Sequence, residues 1–462
     1  MKRVLTRHLR PGLVACCLLG CAGLLLLAPS EGAAQDDAAA DSNVLTIAEA
    51  LRLALERNPS ITAAELDIDA RRAALGGQRG RWLPTLTADA DARIQQSLAR
   101  PVNVGGGTIV TASQTSETSD ATLTLRQTFY QSGISEAIDS AREQVVVSEL
   151  SLADAQRRLL VQVASTFSTI LAGQLLVDVA EQAVSAAQLH LDLVDARIDT
   201  GTAAPADRLP VEVEMADAQY GSVSALNAVW QAIADLQAQL ALAPDELPLI
   251  RGTLEVAPEV TDLSAWIERA MASRPDLEAQ RRRVRLSELS LRQARIEGGL
   301  TFQASGQADY GQHTGTTGDT WSLSAGVSYP LFDAPTRASI DQAETSLEIT
   351  RQGLAEAELS VAREVSQAYY ALNDAGQRVE VATVSLAAAA TNLDAARARY
   401  AEEVGTIIEV TDAELSWRRA SVQLVQSRFD RSIAYYQLLA AGGALALPAS
   451  PEAGEAGTVV EP

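Results

Sequence analysis

Two polarity periods divide the chain. From Thr320 onward the odd positions Trp321, Leu323, Ala325, Val327, Tyr329 and Leu331 are apolar, and Ser322, Ser324, Gly326 and Ser328 lie between them. A period of two predicts a strand with one greasy face and one wet face. The same alternation sets Phe302, Ala304, Gly306, Ala308 and Tyr310 against Thr301, Gln303, Ser305, Gln307 and Asp309. It also sets Leu86, Ala88, Ala90, Ala92 and Ile94 against Thr87, Asp89, Asp91 and Arg93, and Leu123, Leu125 and Phe129 against Thr122, Thr124, Arg126 and Thr128. Each stretch is about ten residues, the length of a transmembrane β-strand with lipid on one side and water on the other. Trp82, Phe129, Tyr130, Tyr310, Trp321, Tyr329 and Phe332 fall at or near the strand ends, where interfacial aromatic girdles belong. For any one strand the alternative is an antiparallel sheet covering a soluble core. Four membrane strands are too few to close a barrel, and open edges are not tolerated in lipid, so they would require several chains per barrel.

Between the strand pairs the period changes. Ile134 to Thr200 contains no proline and only Gly173, with Leu160, Val163, Phe167, Ile170, Leu171 and Leu175 in three-and-four spacing. A second such stretch runs from about Arg337 to Glu403, with Val365, Ala368, Tyr369 and Leu372 on one stripe. Helices of this size would be about 100 Å long at 1.5 Å per residue, which predicts a coiled-coil-like assembly. Each helix then reverses, at Gly201 followed by Pro205 in one case and near Glu403 and Gly405 in the other, and returns to about Leu242 and Ala441. Alanine fills the contact positions, as at Ala186-Ala187 and Ala387 to Ala390.

The pattern is written twice. Asn58-Pro59 falls on Arg274-Pro275, and Leu86, Ala88 and Ala92 fall on Phe302, Ala304 and Ala308, all 216 positions apart. Leu123 falls on Ala325, Val163 on Val365 and Arg197 on Arg399, 202 positions apart. The difference places a longer polar, glycine-rich loop at about 100–120 in the first half, against 312–319 in the second. The expected division is a signal segment at 1–34, a first repeat at 35–242, a linker or equatorial segment at 243–260, a second repeat at 261–441, and a flexible acidic tail at 442–462.

Composition narrows the classes. The chain has 462 residues, a net charge of −22 and only 4% aromatic residues. Strong acidity argues against a nucleic-acid partner. Lys2, Arg3, Arg7 and Arg10 precede the apolar run Leu13 to Ala28, and Gly32-Ala33-Ala34 offers a cleavage site, the layout of a secretory signal. Its removal takes four basic residues and Glu31 away, leaving a charge of −25 and no cysteine. Leu18-Leu19-Gly20-Cys21 offers the alternative of lipidation at Cys21. The remaining His190 and His313 form no metal-binding spacing, and no nucleophile elbow or phosphate-loop lysine motif is present, so no enzyme activity, cofactor or metal is expected.

Taken together, the duplication, Asn58-Pro59, Leu83-Pro84-Thr85-Leu86, Pro330-Leu331-Phe332-Asp333 and RYAEEVGTIIEVTDAE from Arg399 to Glu414 resemble the TolC-like outer-membrane efflux protein family of Gram-negative exit ducts. The resemblance implies an α+β membrane protein. Its four strands per chain would join those of two further copies in the 12-stranded barrel of a homotrimer, and its helices would form a periplasmic tunnel. It also implies a passive duct serving an inner-membrane pump through a periplasmic adaptor, for efflux or type I secretion. By the same resemblance, Glu409 and Asp412 would line the periplasmic constriction. Two departures stand out: Glu403 occupies the turn position matched by Gly201, and Pro210 stands opposite Asp412. Arg197 and Arg399 precede the turns and would latch neighbouring helices through carboxylates. A periplasmic coiled-coil adaptor or surface stalk without a pore is the competing class; it would need no lipid-facing strands.

Overall fold

The computed structural model describes residues 44–246, 249–255, 262–296, 298–313, 316–402 and 404–444. The signal segment with Cys21, Glu403 and the tail beyond 444 lie outside the described residues. In chain order, a two-residue strand β1 (Val44–Leu45) leads into α1 (Ile47–Arg57), α2 (Pro59–Gly80) and β2 (Thr85–Ser97). A hairpin of β3 (Arg100–Val104) and β4 (Gly107–Thr111) precedes β5 (Gln114–Gln131), α3 (Ile134–Asp199), a single 3-10 turn at Pro205–Asp207, and α4 (Arg208–Leu240). After β6 (Leu249–Ile250) come α5 (Leu263–Ser273), α6 (Pro275–Ile296), β7 (Thr301–His313), β8 (Thr316–Ser328), α7 (Ala334–Ala401) and α8 (Ile407–Ala441).

The sheet is antiparallel in the order β2-β5-β7-β8. Register aligns the predicted faces across all four strands. Ala88, Leu123, Ala308 and Trp321 stand in one row and Leu86, Leu125, Gly306 and Leu323 in another, while Thr87, Thr124, Gln307 and Ser322 share a polar row. Residues directly opposite on adjacent strands lie on the same face, so the sheet has one continuous apolar side. Among the described residues that side is uncovered: Leu86, Ile94, Trp321 and Leu323 are all exposed. Near the helical end, Phe129 stacks on Phe302 with ring centroids 5.2 Å apart.

The strands exceed the expected length, at 13, 18, 13 and 13 residues. The glycine-rich segment expected as a loop at 100–120 is instead the β3–β4 hairpin followed by the first part of β5. Gly105 and Gly106, with φ of 56° and 95°, form its two-residue turn, where two left-handed residues match the twist of the flanking strands.

Side-chain caps and polar contacts sit where the short helices meet the long ones. Thr46 and Glu49 form a capping box at α1. Asn58 caps α2 through Ser60 N–H and donates its side-chain amide to the Gln239 carbonyl, 2.7 Å away at the end of α4. Arg274, 216 positions later, works at the end of α8: it donates to the Ala441 carbonyl, to Glu364 of α7 at 2.8 Å and to Asp276. Arg157 of α3 joins the same knot through Asp154 and the Ala440 carbonyl. Around these caps lie two apolar clusters. One packs Val163, Phe167 and Ile170 of α3 against Ala50, Ala54, Leu236 and Leu240. The other packs Val361 and Val365 of α7 against Trp266, Leu277 and Leu438. An 18-residue stretch of α3 is apolar enough to cross a membrane, with mean hydropathy 1.6, but the run at Leu159 to Ala172 is core packing.

The Arg274 knot generates two predictions. Arg274→Ala strips the donor from Asp276, Glu364 and Ala441, and should cost about 3 kcal/mol, the low end for breaking a buried ion pair because Glu364 is half exposed. Denaturant unfolding followed by circular dichroism reads this out. Burial alone would push the Asp276 carboxyl up, but hydrogen bonding to Arg274 and the charges of Arg274 and Arg157 outweigh it and hold the carboxyl below the usual range. A depressed carboxyl contributes stability above its unfolded value and loses it as pH falls through the folded one. Asp276→Asn should therefore flatten the loss of stability below about pH 4.

Candidate functional site

The two helical hairpins turn by the same hydrogen bonds. At the first, Gly201 takes φ 75° and donates to the Ile198 carbonyl, and Thr202 N–H donates to Arg197 O at 2.9 Å. This is the left-handed helix end at which glycine carries no Cβ penalty. At the second, 202 positions on, Val404 and Gly405 N–H both donate to Arg399 O at 3.0 Å. A Cβ on Gly405 would sit 3.1 Å from Arg399 Cβ and 3.3 Å from its backbone, so close approach of the chain explains glycine there. Thr406 then caps α8 by accepting from Glu409 N–H.

Glu409 and Asp412 lie in the first two turns of α8, three residues apart on one face, and both are exposed. Their charges are not equivalent. Arg399 Nε stands 3.6 Å from the Glu409 carboxylate, with both side chains about half exposed. Asp412 has no salt bridge among the described residues.

Arg197 reaches the other hairpin by a different chemistry from the carboxylate latch expected of it. Its guanidinium donates to the Tyr400 carbonyl at 3.2 Å and lies 4.0 Å from the centre of the Tyr400 ring, a cation–π contact. Tyr400 is buried with Leu393, Ala396, Val410 and Ala413, so Arg197 of α3 is joined to the core of the second tip.

One cluster escaped the sequence reading. About 14 Å inside the first tip, at 1.5 Å per residue, His190 of α3 is buried between Glu214 of α4 and Glu414 of α8. The ring nitrogens stand 3.7 Å from Glu214 Oε1 and 3.2 Å from Glu414 Oε2. Arg397 of α7 reaches the other Glu414 oxygen at 3.3 Å. Burial, the largest cause, pushes the Glu414 carboxyl above the usual range against the pull of His190 and Arg397. The signal was faint: His190 sits mid-helix, and its partners lie 24 and 224 positions away.

The sequence matches, over residues 50–242 and 266–444, the family described as outer membrane efflux protein. Among solved structures, a membrane protein from Pseudomonas aeruginosa is 22% identical with a TM-score of 0.71, covering 86% of this chain and 93% of its own. The open-state MtrE outer membrane channel of Neisseria gonorrhoeae is 19% identical with a TM-score of 0.69, over 86% and 88%. The CmeC outer membrane channel of Campylobacter jejuni is 13% identical with a TM-score of 0.71, over 86% and 85%. No curated protein matches significantly. The two matched stretches take in both strand pairs and both helical hairpins, and the chain belongs to the outer membrane efflux protein family.

Proposed function

We propose that this outer-membrane efflux channel assembles as a homotrimer, each chain giving four strands to one 12-stranded barrel, and that it is the passive exit duct of a tripartite efflux or type I secretion machine. It conducts rather than catalyses, and its partners are a periplasmic adaptor and an inner-membrane pump. The observation that carries the proposal is the open sheet: among the described residues its apolar side is bare, and β2 and β8 are edges without partners. In hydrocarbon each unpaired backbone group costs several kcal/mol, so β8 must pair with β2 of another copy. Two copies would supply eight strands and three would supply twelve; the family resemblance favours three.

Duplication gives this junction a register. The two halves match in element lengths, with 11 and 11 residues in α1 and α5 and 22 and 22 in α2 and α6. The long helices match closely, at 66 and 68 in α3 and α7 and 33 and 35 in α4 and α8. These lengths support one unit repeated at 35–242 and 261–441 across the 243–260 connection. In such a unit β7 is the counterpart of β2 and β8 of β5, so the junction between copies repeats the β5–β7 pairing within the chain. Leu123 pairs with Ala308 there, which places Ala325 opposite Ala92 of the next copy. The helices support assembly as well: Leu209, Val213, Tyr220, Val223 and Trp230 form an exposed apolar stripe along α4.

At the other end, three copies would set six carboxylates, Glu409 and Asp412, around the axis, a ring that favours cations. Asp412 would carry the larger effect because Arg399 offsets Glu409.

Two measurements test this. With Ala92→Cys and Ala325→Cys in one chain, mild oxidation of outer membranes should give covalent dimers and trimers. Within a chain the two sites are three strand spacings apart, about 14 Å, and further separated along the strands because Ala92 shares its row with Thr317, too far for an internal disulfide; exclusively monomeric protein would refute the ring. In bilayer conductance, Asp412→Ala should weaken cation preference more than Glu409→Ala, and unchanged selectivity in both would remove them from the pore.

A further inference from the structure

The buried cluster between the hairpins has the composition of a ligand set. His190, Glu214 and Glu414 each present a donor atom, all within 4.8 Å of one another. His190 and Glu414 are each only 4% exposed. Despite their proximity, Nδ1 of His190 and Oε2 of both glutamates are buried without a hydrogen-bond partner among the described residues. Buried polar atoms are ordinarily satisfied, and an orphaned set calls for an explanation such as a bound ion. Two carboxylates enclosed with one imidazole also concentrate negative charge, which the half-exposed Arg397 offsets only in part.

We propose that His190, Glu214 and Glu414 bind a divalent transition-metal ion of the zinc type, and that the ion pins the α3–α4 hairpin to the α7–α8 hairpin. Donors surrounding a tetrahedral ion at 2.0–2.1 Å lie about 3.4 Å from one another, and the three donors here lie within 4.8 Å of one another. The imidazole nitrogen selects zinc, copper or nickel over magnesium and calcium, which take oxygen ligands. Arg397 on the free oxygen of Glu414 holds that carboxylate in orientation, as groups behind metal ligands do. Apolar packing encloses the position: Ala187 and Val194 lie one turn to either side of His190, with Val410 and Ala413 on α8. The charged groups facing the site come from all four helices, His190 from α3, Glu214 from α4, Arg397 from α7 and Glu414 from α8.

The test is zinc binding to full-length protein in detergent after stripping with a chelator, followed by calorimetry and metal analysis. One zinc per chain is expected, with affinity reduced more than ~10-fold in His190→Ala. Glu214→Gln, nearly the same shape, should reduce it as well and serves if His190→Ala does not fold. Wild-type protein that binds no zinc, or binding that neither variant weakens, overturns the site. Zinc should also raise the melting temperature of the wild type and not of the variants. Binding without that rise overturns the pinning. None of these readouts depends on conductance or on the number of chains in the barrel.

Discussion

Backbone hydrogen bonding in hydrocarbon is the constraint from which the rest follows. A strand in lipid cannot leave an edge bare, and this chain presents two, β2 and β8, on a sheet whose apolar face is continuous from Leu86 to Trp321. The pair β5–β7 in the middle joins the strands of the two halves, so each half leaves one edge outward. In the proposed assembly such a unit is completed by a ring of copies.

The helical part solves a different problem. Helices of 66 and 68 residues cannot be stabilised by a single globular core, and the chain has few aromatic residues with which to build one. Burial is instead dispersed along seams of alanine and β-branched side chains, with two denser clusters where the short helices α1 and α5 cross. These clusters coincide with the places where α4 and α8 end, and there the exposed carbonyls are met by Asn58 and Arg274. Caps of this kind fix where a helix stops, which in turn fixes the height of each hairpin tip relative to the sheet.

Local patterns were legible in the sequence and distant contacts were not. Alternation at Leu86 to Ile94 and Trp321 to Val327 identifies strands because each face sees one environment along its length, although the pattern runs on to Leu331 past the end of β8 at Ser328. Gly201 and the Val404-Gly405 break marked the tips because helix termination is a local event. At 100–120, Gly105 and Gly106 indicate a turn, but the short strands around them have too few residues for a period to show, so composition alone points to a loop. Arg274 was noted only as the counterpart of Asn58, and its burial depends on Glu364 and Ala441, 90 and 167 positions away. His190 has Asp192 and Asp195 near it in sequence, but two and five residues away they do not share its helix face; the three donors meet only when both hairpins are folded against each other.

The proposed duplication separates positions that hold the frame from positions that carry chemistry. Frame positions recur in both halves: Arg197 and Arg399 offer the same carbonyl to the same turn, and Asn58 and Arg274 cap equivalent helix ends by different means. The chemical positions recur only in part. Glu409 and Glu414 stand opposite Asp207 and Glu212, whereas Asp412 stands opposite Pro210, and His190 and Glu214 stand opposite Asn392 and Ser416, so the complete acidic pair and the complete ligand cluster each belong to one combination of halves. A tube of three such chains would therefore repeat its frame six times, and Asp412 and His190 three times. That difference matters at the tips, because pairing within a chain tolerates two unlike hairpins side by side, as Arg197 against Tyr400 demonstrates. Once the tips differ, one hairpin can bear the exposed carboxylates while the other supplies the arginine that holds it, and a single ion at His190 would act on the contact between them rather than on either hairpin alone.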